Sequence, residues 1–297
     1  MMKRIADKVR SGQKLVSDGA WGTLLQARGL KPGECPELWC VEHRADVLDI
    51  PRRYIAAGAD MVKTDSFGGN RFKLEFFNLT ERVTELNEAA AAISREAAGP
   101  DRHVIASVGP TGKMLLMGEV TDGDLFAAFR AQLEALARGG ADACCIETMS
   151  AIDEACLAVR AARETTGLEV ICTFTYACTA AGDYRTMMGV SPAEMVAAVK
   201  AAGAHIVGAN CSQGFAQMPD LIKEIKKAAG DTPVLVHANA GMPRNVNGVD
   251  VFPETPEMVA REVPRLLAAG ADIIGGCCGT TPAHIAAIAK IIKSSKS

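Results

Sequence analysis

A pattern that occurs four times along the chain constrains the fold more than any other feature of the sequence. In each copy, the end of an amphipathic helix is followed by a glycine and then by a short apolar run. The copies are YIAAGADMVKTDS (54–66), LARGGADACCIET (136–148), VKAAGAHIVGANCS (199–212) and LLAAGADIIGGCC (266–278). The glycine suits the left-handed residue that ends a helix, and the apolar run is typical of a strand buried on both faces. The pattern therefore predicts helices that alternate with parallel strands.

Four further segments complete a set of eight strands. They are KLVSD (14–18), HVIASVG (103–109), EVICTFTY (169–176) and PVLVHANA (233–240). The helical stretches between strands include Leu125–Arg138, Ala151–Thr165, Ser191–Ala201, Met218–Ala229 and Glu257–Ala268. Eight such units predict a single-domain α/β fold, a (β/α)₈ TIM barrel over residues 1–297. An open doubly wound sheet is the competing interpretation, which the lack of a GxGxxG motif after the first strand disfavours.

Charge and hydropathy restrict the partners that we expect. The net charge is -3, and no basic run is interleaved with aromatic residues, so we expect no nucleic-acid partner. The N-terminal segment lacks the apolar run of a signal peptide, and no stretch approaches the roughly 18 apolar residues of a membrane span. These features predict a cytoplasmic protein with no membrane partner. In that compartment its ten cysteines are expected to be core residues, metal ligands or catalytic groups rather than disulfides.

The predicted barrel places functional groups at the carboxyl ends of the strands and in the loops after them. Polar residues occur at all eight of these positions. They are Asp18, Thr64, Asp65, Ser107, Glu147, Thr175, Asn210, Cys211, Asn239, Cys277 and Cys278.

Three cysteines among these residues predict a metal site. Cys211 ends the sixth strand, and Cys277 and Cys278 end the eighth. Neighbouring strand residues point to opposite faces, but the surrounding GGCCGT segment supplies glycines that break the strand and let both sulfurs face one point. Three thiolates with one open position are the ligand set of a catalytic zinc site. Sulfur ligation favours Zn²⁺ over Co²⁺ or Fe²⁺.

Two other interpretations of the three cysteines stay open: three more core residues, or a vicinal disulfide between Cys277 and Cys278. For the other cysteines in strand or helix contexts we predict a buried core role. These are Cys144, Cys145, Cys156, Cys172 and Cys178.

A zinc site of this kind suits S-alkylation. A free thiol has a pKa of about 8.5, and coordination at the open position would deprotonate it without a separate general base. Hydrolysis would favour His or carboxylate ligands. We expect His103, His205 and His237 to be core histidines rather than ligands. A zinc hydrolase or lyase and a non-catalytic zinc-binding module are the competing functions.

Seven segments of the sequence together resemble the homocysteine S-methyltransferase family, and they occur in the family's order along nearly the whole chain. They are DGAWGT (18–23), TDSF (64–67), SVGPTGK (107–113), IET (146–148), GANCS (208–212), ANAGMP (238–243) and GGCCGTTPAHI (275–285). The resemblance implies a zinc-dependent barrel enzyme that methylates homocysteine to methionine.

The same resemblance implies roles for individual residues. Cys211, Cys277 and Cys278 would be the zinc ligands. Asp18 and Glu147 would hold the substrate amino group through charge-assisted hydrogen bonds, and Gly19 and Thr64 would contact its carboxylate end. The alternatives are that Asp18 is a turn residue and that Glu147 caps the helix starting near Ser150.

The segment around Thr64 departs from the family pattern. Many relatives have Glu or Gln before this threonine and Asn after it, whereas this chain has Lys63 and Asp65. The two residues would either pair with each other or recognise a differently charged acceptor.

The loops SVGPTGK and FGGNRFKL (67–74) resemble most the homocysteine module of cobalamin-dependent methionine synthase. This implies methylcobalamin, carried by a separate corrinoid protein or domain, as the methyl donor. S-methylmethionine and betaine are the alternative donors.

Overall fold

A computed structural model describes residues 2–246 and 249–294, and its main feature is a sheet of eight parallel strands. In chain order they are β1 (Leu15–Val16), β2 (Met61–Lys63), β3 (His103–Val108), β4 (Ala143–Met149), β5 (Glu169–Phe174), β6 (Ile206–Gly214), β7 (Val234–Asn239) and β8 (Ile273–Gly276). They pair in the order β1-β8-β7-β6-β5-β4-β3-β2. From β2 to β8 each strand therefore lies beside the next one in the chain, and β8 lies beside β1, so that the sheet curves into a ring. At the remaining seam, the amide of Asp60 donates to the carbonyl oxygen of Val16 at 2.8 Å. The predicted barrel is confirmed, and its predicted bounds of 1–297 extend past the described residues at both ends.

Helices connect the strands and surround the sheet. They are α1 (Ile5–Arg10), α2 (Gly22–Gln26), α3 (Trp39–Glu42), α4 (Arg44–Ala56), α5 (Arg71–Glu75), α6 (Val83–Ala98), α7 (Asp122–Arg138), α8 (Ile152–Thr165), α9 (Pro192–Ala202), α10 (Met218–Ala229), α11 (Pro256–Ala268) and α12 (Pro282–Ser294). Four of the five helices predicted from the sequence agree with these bounds to within one residue, and the fifth, predicted as Leu125–Arg138, begins three residues earlier in the structure. No helix in the described part of the chain is long and apolar enough to span a membrane.

The four repeated glycines end helices in the same way. Gly58, Gly140, Gly203 and Gly270 have φ between 101° and 109°. In each case the amide of the following alanine donates to the carbonyl five residues back, as Ala59 does to Tyr54 at 3.1 Å. This closure leaves the chain in the left-handed conformation that glycine adopts without strain. The repeat in the sequence is therefore the helix-ending motif that directs the chain into β2, β4, β6 and β8.

One layer of apolar side chains fills the amino-terminal end of the barrel. The strands contribute Leu15, Met61, Ile105, Ala143, Cys145, Ile171, Ile206, Leu235 and Ile273. Helix α1 covers this end, where the amides of Ile5 and Ala6 donate to the carboxylate of Glu169 at 2.7 and 2.8 Å. A larger apolar cluster lies between the strands and the surrounding helices. The carboxyl end of the barrel, which this layer does not fill, is therefore where we expect groups that bind a ligand.

The core role predicted for five cysteines holds for three of them. Cys144, Cys145 and Cys172 are fully buried, whereas Cys156 is half-buried. Cys178 is exposed, so its predicted core role is wrong. The physical reason is that the chain leaves the barrel after β5 and forms a small hairpin in which Ala177–Cys178 pairs with Tyr184–Arg185.

The buried side chain of His103 is expected to make the stability of the barrel depend on pH. Burial, followed by the charge of Lys8, lowers the pKa of His103 to about 4. Because the pKa in the unfolded chain is about 6.5, the unfolded state binds the proton first as the pH falls. Stability is therefore lost below about pH 6.5, and this residue contributes a loss of about 2 kcal/mol by pH 5.

We expect His103→Phe to reduce the difference in unfolding free energy between pH 7 and pH 5, measured by denaturant titration. His43→Phe, which changes an exposed ring, is the control and should keep the wild-type difference. If His103→Phe kept the wild-type difference between pH 7 and pH 5, the predicted contribution of His103 would be wrong.

Candidate functional site

The sulfurs of three cysteines converge at the carboxyl end of the barrel. Cys211 lies within β6, and Cys277 and Cys278 follow directly after β8. Their Sγ atoms all lie within 4.8 Å of one another, and those of Cys277 and Cys278 are 3.9 Å apart. The structure thus brings together the three residues that the sequence predicts as metal ligands.

The spacing of these sulfurs fits a metal ion. Tetrahedral Zn–S bonds of about 2.3 Å place two ligand sulfurs about 3.8 Å apart. A disulfide requires about 2.05 Å, and none of the three cysteines forms a disulfide. The predicted alternative of a vicinal disulfide is therefore not what the structure shows. Three sulfurs at this spacing can hold one metal ion and leave one position open.

Close packing of the loop after β8 lets two adjacent cysteines share this point. The amide of Cys277 donates to the carbonyl of Ala238 at 2.7 Å, and the carbonyl of Cys278 accepts from the amide of Ala240 at 2.9 Å. A Cβ on Gly276 would lie 2.2 Å from the Thr280 hydroxyl, and Gly279 has φ +77° with Phe252 against it. Both positions therefore require glycine, as the sequence predicts for GGCCGT.

Cys211 reaches the cluster through an unusual backbone conformation. It has φ +61°, and Thr148 at the end of β4 has φ +62°. The left-handed region is unfavourable for a β-branched threonine and tends to occur at functional sites. Pairing shifts register at both places, between Ile146 and Met149 and between Asn210 and Gly214. These irregularities break the alternation of the strands, so that Thr148 lines the same cavity as its neighbour Glu147.

Asn210 links the two left-handed residues. Its Oδ1 accepts from the amide of Thr148 at 2.8 Å and from the hydroxyl of Thr173 at 2.7 Å. Its Nδ2 donates to the hydroxyl of Thr148 at 2.7 Å. A fully buried side chain therefore holds the end of β4 to the residue that directly precedes Cys211.

A cavity of about 460 Å³ opens beside the three sulfurs. Its size is typical of a small-molecule site. It is lined by Ala20, Trp21, Gly22, Thr23, Pro36, Glu37, Lys63, Thr64, Asp65, Ser66, Phe67, Gly68, Lys73, Phe77, Ser107, Glu147, Thr148, Cys211, Cys277 and Cys278. Of the predicted substrate contacts, Thr64 and Glu147 line this cavity.

A buried ion pair lies in the wall of the cavity. Lys63 Nζ is 3.4 Å from Glu147 Oε2, and the two side chains are 7% and 4% exposed. The hydroxyl of Ser107 donates to the other oxygen, Oε1, at 2.5 Å. Glu147 is therefore a partner of Lys63 and Ser107, and the predicted alternative that it caps a helix is wrong.

Asp18 lies behind this wall and does not line the cavity. Its Oδ2 accepts from the backbone amide of Lys63 at 2.7 Å and from the indole of Trp21 at 2.9 Å. Its side chain is fully buried. Gly19 is also absent from the lining, and a Cβ there would lie 2.6 Å from the Thr280 hydroxyl. Both residues thus support neighbours of the cavity rather than face it.

Thr64 belongs to a short chain of hydroxyl groups. Its Oγ1 lies 2.6 Å from that of Ser66 and accepts from the amide of Ser107 at 3.0 Å. The Ser66 hydroxyl donates to the carbonyl of Ser107 at 2.7 Å. These bonds join the ends of β2 and β3 and hold Ser107 beside Glu147.

Lys63 and Asp65 do not pair with each other. Burial, followed by the charge of Glu37, raises the pKa of Asp65 well above its ordinary value. The thiol of Cys40 contacts the Asp65 carboxylate at 3.8 Å. Lys63 instead pairs with Glu147, and it lines the same cavity as the three cysteines.

Charge at the site is governed by burial and by close neighbours. Burial by itself lowers the pKa of Lys63, but the charges of Glu147 and Asp18 outweigh it and the net pKa lies above the ordinary value. Hydrogen bonds with Cys211 and Cys278, together with burial, raise the pKa of Cys277 well above its ordinary value. The lysine is therefore cationic at neutral pH, and the metal-free thiol keeps its proton until a cation replaces it.

Sequence reasoning gave no role to several residues of the cavity wall, among them Thr148, Trp21 and Glu37. Thr148 lies within the recognised IET segment, but its left-handed conformation has no local signal in the sequence. Trp21 lies within the recognised DGAWGT segment, which could have identified it. Glu37 lies before α3 in a segment with no motif, and its carboxylate accepts from the amide of Gly68.

Comparison with known proteins places the chain among methyltransferases. The profile of a family described as homocysteine S-methyltransferase matches residues 15–292. Methionine synthase of Mycobacterium tuberculosis is 33% identical over 97% of this chain and 25% of its own length. Methionine synthase of Mycobacterium leprae is 32% identical over 94% of this chain and 24% of its own length. The chain thus spans about a quarter of the length of these curated relatives.

Solved structures support the fold. The metallated form of the homocysteine methyltransferase MmuM from Escherichia coli superposes with a TM-score of 0.77, at 24% identity over 94% of this chain and 96% of that chain. A methyltransferase from Methanosarcina mazei gives a TM-score of 0.64 at 12% identity over 98% of this chain and 97% of that chain. At these identities the similarity concerns the barrel.

The Asn210 contacts predict a large effect of one substitution. Asn210→Ala leaves the partly buried amide of Thr148 and the buried hydroxyl of Thr173 without this partner, which should lower the free energy of unfolding by about 2–3 kcal/mol. The same variant should bind added metal more weakly, by about tenfold or more, because Cys211 loses the support of its neighbour.

Denaturant unfolding and a competitive metal titration measure the two effects. Thr173→Val is the matched control, because it removes one hydrogen bond and leaves the Asn210–Thr148 contact in place. If Asn210→Ala matched the control in both measurements, the linking role would be wrong.

Proposed function

Since the chain belongs to the homocysteine S-methyltransferase family, we propose that it transfers a methyl group to the sulfur of a small thiol, and that homocysteine is methylated to methionine. The observation that carries the proposal is the convergence of three cysteine thiols on one edge of a cavity of small-molecule size. As the new S–C bond forms, the bond between the methyl carbon and its donor breaks. The thiol proton goes to solvent, and the leaving group keeps the electron pair.

We propose that Cys211, Cys277 and Cys278 hold Zn²⁺. When bound, the metal would deprotonate the acceptor thiol at the fourth position and keep it nucleophilic. The support for this assignment is the spacing of the sulfurs, 3.9 Å for the adjacent pair. No histidine or carboxylate takes part in this cluster of described residues, which agrees better with thiol alkylation than with hydrolysis.

The residues of the chain would orient the acceptor in distinct ways. Glu147 and Thr64 line the cavity and are the proposed direct contacts. We propose that Asp18 and Gly19 act from behind the wall. Asp18 fixes Lys63 and Trp21 through two hydrogen bonds, and Gly19 allows the close approach of Thr280.

We propose methylcobalamin, carried by a corrinoid protein or a separate domain, as the methyl donor. The similarity to methionine synthases over a quarter of their length supports this choice. Exposed apolar side chains on the loops after β3, β5 and β7 add to it, with Leu116 and Met187 82% and 87% exposed and Met242 also exposed. Such side chains suit transient docking of a second protein at the mouth of the barrel.

Removal of one proposed ligand tests the metal centre. Cys277→Ser should lose zinc and thiol methylation together, because two sulfurs hold the metal far more weakly than three. Metal content per chain, activity and thermal unfolding are measured on the same preparation. Cys178→Ser, which changes an exposed cysteine of the hairpin, is the matched control and should keep both. A Cys277→Ser protein with full zinc and full activity would overturn the site.

A donor screen tests the second half of the proposal. Homocysteine is incubated with the zinc-loaded protein and, in parallel, with methylcobalamin, S-methylmethionine or betaine. We expect methionine with methylcobalamin, and faster with a methylated corrinoid protein, because the exposed rim provides a docking surface. Methionine formed with only one of the other two donors would replace the cobalamin assignment.

A further inference from the structure

Lys63 is a buried cation beside the proposed thiol site. Its backbone is fixed on both sides, because its amide donates to Asp18 Oδ2 at 2.7 Å and its carbonyl accepts from the hydroxyl of Ser94 at 2.8 Å. Its side chain lines the same cavity as Cys277 and Cys278. The ammonium group is therefore a fixed part of the site and not a mobile surface charge.

Both carboxylates near Lys63 already have partners within the protein. Glu147 accepts from Ser107 at Oε1 and pairs with Lys63 at Oε2. Asp18 accepts from Lys63 and Trp21, is fully buried and does not line the cavity. An ammonium group on the acceptor would have to displace Lys63 from Glu147 or lie beside it. Two like charges at such a distance in a buried site repel strongly.

An anionic group on the acceptor would instead be attracted to Lys63. The 3.4 Å distance from Lys63 Nζ to Glu147 Oε2 is longer than an ordinary N–H···O hydrogen bond of about 2.7–3.2 Å. The ammonium has three donors, so it can keep this contact and donate to a carboxylate in the cavity. Thr64 lies next to it in the chain and lines the same cavity.

We propose that Lys63 takes the place of an acceptor ammonium group, so that the site binds a small anionic thiol without an amino group, a short mercaptoalkanoate, more tightly than homocysteine. This inference rests on the proposed thiol methylation and narrows its substrate class. The bonds made and broken are unchanged, since the new S–C bond still forms at the thiol sulfur and the thiol proton still leaves to solvent.

A pair of matched thiols tests the inference by binding alone. Homocysteine and 4-mercaptobutanoate differ only by the amino group. The protein is loaded with Co²⁺ in place of zinc, and each thiol is titrated while the sulfur-to-cobalt absorption band is followed. We expect wild type to bind 4-mercaptobutanoate about tenfold or more tightly than homocysteine, because like-charge repulsion is absent.

Variants of two lysines assign the preference to one charge. Lys63→Gln should reverse the preference by freeing Glu147 for the ammonium of homocysteine, and Lys63→Met should at least abolish it. Lys73→Gln removes the charge of another lysine that lines the cavity and should keep the wild-type order of the two thiols. Thermal unfolding of each variant checks the fold, and the wild-type comparison stands even if a Lys63 variant does not fold.

The outcomes separate this inference from the proposed function. Tighter binding of homocysteine by wild type, with an unchanged ratio in Lys63→Gln, would overturn the role of Lys63 and leave thiol binding to the metal intact. If the wild-type protein bound no cobalt, or if neither thiol changed the absorption band, the proposed function itself would fail and this inference with it.

Discussion

The candidate site depends on breaking the alternation of a β-strand at defined places. Successive residues of a regular strand face opposite sides, yet Glu147 with Thr148 and Cys277 with Cys278 each line one cavity as adjacent pairs. The first pair relies on a left-handed threonine, and the second on a loop that begins where β8 ends at Gly276. Strained backbone of this kind persists only when its surroundings hold it. The regular barrel supplies those surroundings, since its amino-terminal end is filled by apolar layers that need no such irregularity.

Two side chains carry the connection between the strands and the site. Asn210 joins the ends of β4 and β6 through the residues next to Glu147 and Cys211. Lys63 joins the ends of β2 and β4 through Glu147, and Asp18 fixes its backbone from β1. Glu147 and the residue before Cys211 are therefore tied to neighbouring strand ends by hydrogen bonds. Preorganisation of this kind is what a site needs in order to position a small ligand.

The sequence predicts the barrel and the three cysteines because both follow from local chemistry. Whether a glycine ends a helix is determined by its neighbours in the chain, as at Gly58 and Gly270. A glycine-rich segment likewise indicates by its composition that the backbone can adopt unusual conformations. The contacts of Lys63 are not local. The sequence left two possibilities for Lys63, which were pairing with Asp65, two residues away, and recognition of a differently charged acceptor. The strand ends at Lys63, however, and the partner is Glu147, which is 84 residues away in the chain. Pairings across the barrel of this kind are decided by tertiary structure alone.

The position of Lys63 bears on the charge of the whole site. Three cysteine thiolates around a divalent cation carry a net charge of -1, and an acceptor thiolate adds another negative charge. A nearby cation stabilises that arrangement, more strongly where water is excluded. In this chain Lys63 supplies the cation from a fixed position, and its contact with Glu147 leaves that carboxylate neutralised. In the proposed arrangement an acceptor has no need to bring a positive charge of its own, and the identity of residue 63 would set which thiols the same three cysteines prefer, without any change in the cysteines themselves.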